Sequence, residues 1–95
     1  MSFNAEIHFC LLDLEEWFKS VPSASIGRAQ SSLSELADAL DFLSVQAPTP
    51  GTDSGFNQRA LEARLSLQDV TRCFVSGDKV SGLEYCKRVR DLLHL

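Results

Sequence analysis

The sequence predicts an all-α protein, a single-domain antiparallel four-helix bundle of the up-down-up-down kind, and three observations carry that expectation. Four segments repeat apolar residues every three or four positions, none shows the strict alternation of a strand, and the connections flanking the helix pairs are mostly short. Ninety-five residues suffice for one modest core but not for the two-domain cleft in which many cofactor enzymes work.

The first helix is expected from about Asn4 to Lys19, where Phe3, Ile7, Cys10 or Leu11, Leu14 and Trp17 or Phe18 form one wide apolar face. SVPSAS ends it, because Pro22 disfavours helix at Val21 and the serines can cap the next helix. From about Ser25 to Val45 the residues Ile26, Ala29, Leu33, Leu36, Leu40 and Leu43 alternate spacings of three and four, the seam of a bundle. Glu35, Asp38 and Asp41 line the opposite side, where solvation is their ordinary meaning. APTPGTDSG, over 47–55, is the one long loop. A third helix should start at Asp53 or Ser54 and reach Val75, with Phe56, Ala60, Ala63, Leu67, Val70 and Phe74 as its stripe. SGDKVS is a short turn in which Gly77 suits a left-handed C-cap, and Ser81-Gly-Leu-Glu84 reads as a capping box that starts the fourth helix at Ser81.

Composition narrows the function classes. With 44% apolar and 23% charged residues the chain is that of an ordinary folded protein. No apolar run approaches a membrane span, and MSFNAEIHF lacks the features of a secretory leader, so a cytoplasmic location is expected. Three cysteines at irregular spacing fit neither a disulfide framework nor a C-x-x-C site and are expected as buried thiols. One pair has geometry for a bond, since Cys73 and Cys86 lie equally far from the turn near Lys79. The net charge of −4 provides no basic surface for general nucleic-acid binding. That charge divides unevenly, −6 through Gly55 and +2 beyond it, so the two halves can attract each other without any ligand.

Catalytic patterns are sparse. His8 and Cys10 point about 200° apart on a helix, His94 has no ligand-spaced companion, and the glycines of PTPGTDSG lack the lysine of a P-loop, so neither metal nor cofactor is expected. Asp13, Glu15 and Glu16 beside Trp17 read as a solvated acidic edge. On the fourth helix Leu83, Tyr85, Cys86, Val89, Leu92 and Leu93 form the apolar arc, with Lys87, Arg88, Arg90, Asp91 and His94 opposite. Arg88 and His94, five residues between them, resemble the arginine–histidine motif of the helical HEPN ribonuclease superfamily. That resemblance implies a dimeric ribonuclease in which the cation stabilises a phosphorane and the imidazole moves protons. Six steps along a regular helix leave the two roughly 120° apart, so a partner subunit would have to bring them together. The motif spans two residues and no other segment shares it, so the chain is not assigned to that superfamily.

Surplus apolar residues point elsewhere. Phe9 and Leu12 lie off the stripe of the first helix, Phe42 lies opposite that of the second, and Leu61 and Leu65 make a second stripe on the third. Contiguous exposed apolar side chains mark interaction sites. The expected function is therefore a non-enzymatic protein-binding module, an adaptor, inhibitor or assembly factor, whose partner is another protein or a second copy of itself. Its surface is expected mainly on the first and third helices. An acidic immunity-type or nucleic-acid-mimicking inhibitor, presenting Glu35, Asp38 and Asp41 or Asp13, Glu15 and Glu16 to a basic partner, is the narrower form of that reading.

Overall fold

A computed structural model describes residues 3–22, 24–45 and 55–94, with the side chains of residues 3, 4 and 56 left out. Four helices follow one another: α1 (Phe3–Phe18), α2 (Ile26–Val45), α3 (Phe56–Ser76) and α4 (Lys79–Leu92). Each packs on its neighbours in sequence, and α4 closes the ring onto α1. The protein is a four-helix bundle, with no strand among the described residues.

Cross-helix contacts record the register. On α1 and α2, Asp13 meets Ser32 and Cys10 meets Glu35, so one helix descends as the other rises. On α1 and α4, His8 meets Arg90 while Ser20, just beyond α1, meets Lys79. Opposite senses at both seams are what an up-down-up-down path requires.

The stripes meet in one buried cluster. Ile7, Leu11, Leu14 and Phe18 from α1, Leu36 and Leu40 from α2, Leu67 and Val70 from α3, and Cys86 and Val89 from α4 make its centre. Trp17, Leu33, Phe74, Leu83, Tyr85 and Leu92 pack against it partly buried. Phe3 and Phe56 were expected in these stripes, and their side chains lie outside the described set. Ile26 departs from expectation at 55% exposure, because it is the first residue of α2 and sits past the reach of the neighbouring helix. Ser32 is buried instead, its hydroxyl donating to Asp13 Oδ2 at 2.9 Å.

Helix ends follow local chemistry. The Ser25 hydroxyl accepts from the Arg28 N–H at 3.2 Å and opens α2. Behind α1, Ser20 takes a left-handed φ of 60°, its N–H reaching Trp17 O at 3.0 Å while that of Val21 reaches Glu16 O at 3.0 Å, a Schellman closure on a non-glycine residue. Gly77 closes α3 with φ 82°, as expected. The predicted capping box is not what starts α4: the helix begins two residues before Ser81, with Asp78 as N-cap accepting the Ser81 N–H at 3.2 Å. Aspartate caps as well as serine, and Asp78 follows Gly77 directly, so it takes the position first. The expected α3 start at Asp53 or Ser54, and the 47–55 loop apart from Gly55, lie outside the described residues.

Candidate functional site

Between α1 and α2 the bundle leaves a groove of about 660 Å³. Positions 6, 9, 10 and 13 on α1 and 32, 35, 38, 39 and 42 on α2 recur at helical spacing, which brings one edge of each helix to a common cleft. Small side chains, Cys10, Ser32 and Ala39, lie where the two helices approach, and they cannot fill the space between them. Phe9 and Phe42 border the groove at 61% and 50% exposure.

Acidic groups surround this apolar surface, and they fall into two kinds. Asp13 accepts from Ser32 and pairs with Arg28 at 3.1 Å, so it is absorbed by the protein itself. Glu6, Glu35 and Asp38 also line the groove, and among the described residues no cation pairs with them. At the floor the Cys10 thiol donates to Glu35 Oε2 at 3.6 Å. Burial first, then the Glu35 charge, pushes that thiol from 9.0 up to about 11, so it stays protonated and is a poor nucleophile at neutral pH.

The expected solvated edge on α1 needs correction. Asp13 and Glu15 are each mostly covered, and Glu15 pairs with Arg90 of α4, whose other nitrogen lies 2.8 Å from His8 Nδ1. Neighbouring helices decide this: Asp13 faces α2 and Glu15 faces α4. Arg64 to Asp41 at 3.0 Å is a second bond, like Arg90 to Glu15, between a cation of the basic half and a carboxylate of the acidic half.

The structure brings only two of the five expected interface residues together. Phe9 and Phe42 share the groove, whereas Leu61 and Leu65 lie exposed on α3 and Leu12 lies outside the groove lining. Since α1 packs on α2 and α4, and so does α3, the first and third helices stand diagonally and form no common surface. Of the acidic lining, Asp13, Glu35 and Asp38 were named from sequence as charges for a basic partner and Glu6 was not, and no signal in the chain distinguishes Glu35 from Asp13 before the helix pairing is known.

A second, shallower hollow of about 680 Å³ lies between Arg59 of α3 and the end of α4. Arg88 and His94 both line it, because α4 ends at Leu92 and His94 turns left-handed at φ 58°, so the regular-helix projection does not extend to His94. Lys87 joins Arg59 and Arg88 as a third cation there, and Glu84 and Asp91 offset part of that charge. Among the described residues no group of His, Cys, Asp or Glu is arranged to hold a metal ion, and no helix is long and apolar enough to cross a membrane. Cys73 and Cys86 are free thiols rather than a bonded pair. No protein-family model, curated protein or solved structure matches the chain.

Proposed function

We propose that the protein is a non-enzymatic binding module, an adaptor, inhibitor or assembly factor, that engages another protein through apolar side chains exposed on its helices, chiefly at the groove between α1 and α2. The observation that carries this reading is the convergence of Phe9 and Phe42, both at least half exposed, on one groove from two different helices. Burying what remains exposed of two phenylalanines contributes on the order of 2–3 kcal/mol, roughly two decades of affinity. The reducing cytoplasm is the proposed location, with which three free cysteines accord.

Affinity capture from the source cell tests the reading with three baits: wild type, Phe9→Ser/Phe42→Ser, and Leu61→Ser/Leu65→Ser. A partner held by wild type and by the α3 variant but lost by the groove variant is the expected result. Loss with the α3 variant alone would move the site to Leu61 and Leu65. Identical captures by three folded baits would end the proposal.

A further inference from the structure

The geometry points to a specific occupant for this groove: a cationic amphipathic helix of a partner protein, two to three turns long, setting apolar side chains between Phe9 and Phe42 and lysines or arginines beside Glu6, Glu35 and Asp38. The inference rests on the groove being the binding surface, as proposed above, and adds the chemistry of the group that fills it.

Length comes first. The lining residues on α2 run from Ser32 to Phe42, which at 1.5 Å per residue is about 15 Å of wall. A helix of about ten residues spans that distance and presents apolar groups at i, i+3 or i+4, and i+7.

Backbone chemistry selects a helix over an extended strand. An added strand gains affinity from main-chain hydrogen bonds to a sheet edge, and both walls here are helices whose interior backbone groups are already bonded. A helix brings its own satisfied backbone and asks only for apolar contact.

Charge selects the sign. Asp13, Glu15, Asp41 and Asp69 each have an arginine within the chain, whereas Glu6, Glu35 and Asp38, which line the groove, have none among the described residues. An apolar or acidic occupant would cover those carboxylates without compensation, which is costly. The same charges oppose a second copy placed groove to groove, since each rim would meet its own like charges. Nor does the basic α4 of a second copy fit, because its apolar residues Cys86, Val89 and Leu93 are buried in its own core.

Calorimetric titration of the full chain with three synthetic peptides of about 14 residues tests this. One carries leucines on a single face with lysines elsewhere; the second replaces lysine by glutamate; the third keeps the lysine composition but spreads the leucines around the helix. The first should bind at least about tenfold more tightly than either of the others, and lose affinity as salt is raised. Glu35→Gln/Asp38→Asn should weaken it about three- to tenfold and flatten the salt dependence. Phe9→Ser/Phe42→Ser should abolish binding. Equal binding of the glutamate peptide overturns the charge assignment, and equal binding of the third peptide reduces the groove to an acidic surface. If none binds, the helical occupant is wrong, while the capture experiment above still decides separately whether the groove binds a protein at all.

Discussion

Where α1 meets α4, the ring of Phe18 occupies the notch left by Gly82, in which an added Cβ would come within 2.3 Å of the ring, and Arg90 ties His8 to Glu15 across the same seam. Where α1 meets α2, Cys10 lies against Glu35 and Ser32 against Asp13, three lining carboxylates have no cation among the described residues, and Phe9 turns away from the core. Phe9 and Phe18 are nine residues apart, so about 180° separates them on one helix. The same side chain seals one seam and borders an opening at the other. A seam closes where a large group meets a vacancy of its own size and charges are matched across it. It stays open where the lining side chains are too small to fill the space and Glu6, Glu35 and Asp38 have no cation among the described residues.

The largest effect should come from emptying the closed seam. Phe18→Ala removes a buried ring from the core cluster and should cost about 3–5 kcal/mol in urea unfolding. A loss below about 1 kcal/mol would mean that the ring does not hold α1 on α4.

The two thiols compare the seams chemically. Cys86 is fully buried, and burial with the Glu15 charge pushes it up to about 12; Cys10, on the groove floor, is pushed to about 11. Both folded thiols hold the proton more tightly than the unfolded chain does at 9.0, so their contribution to stability is complete below pH 9 and is lost as pH rises through about 11 and 12. Unfolding curves at increasing pH should show that decline, and a flat response would remove the burial argument. At pH 8 Cys10 should react with iodoacetamide about a hundredfold more slowly than an unperturbed thiol, and Cys86 more slowly still, through unfolding alone. Phe18→Ala should accelerate Cys86, and a groove occupant should protect Cys10 only.

These contrasts mark how far sequence reading reached. The four helices were legible because the spacing of Leu33, Leu36, Leu40 and Leu43, and of Ala60, Ala63, Leu67 and Val70, has no other simple reading. The start of α4 was not, because Asp78 and Ser81 are both competent caps and only the backbone path chooses between them. Phe9 and Phe42 were legible as residues off their own stripes, a property of one helix at a time. That they share a groove while Leu61 and Leu65 do not join it depends on which helices are neighbours, and periodicity carries no information on that. The acids were least legible: Asp13, Glu15 and Glu35 differ only in what stands across the seam.

Gly82→Ala should destabilise by about 1–2 kcal/mol, the overpacking against Phe18 outweighing the better helix propensity of alanine. In a Phe18→Ala background the obstruction is gone, and the same change should stabilise by up to about 1 kcal/mol. The reversal of sign isolates the contact between the two residues. Equal losses in both backgrounds would place the effect on the α4 backbone instead.

The smallest effect on stability belongs to the open seam, and there a null result is informative. Phe9 and Phe42 already expose half or more of their surface, so Phe9→Ser/Phe42→Ser should leave unfolding within about 0.5 kcal/mol of wild type. Stability lost at Phe18 and kept at Phe9 would show that α1 uses one phenylalanine for the fold and does not need the other for it. A loss of about 2 kcal/mol or more would instead make Phe9 and Phe42 part of the core, and the groove would then have no apolar surface to offer.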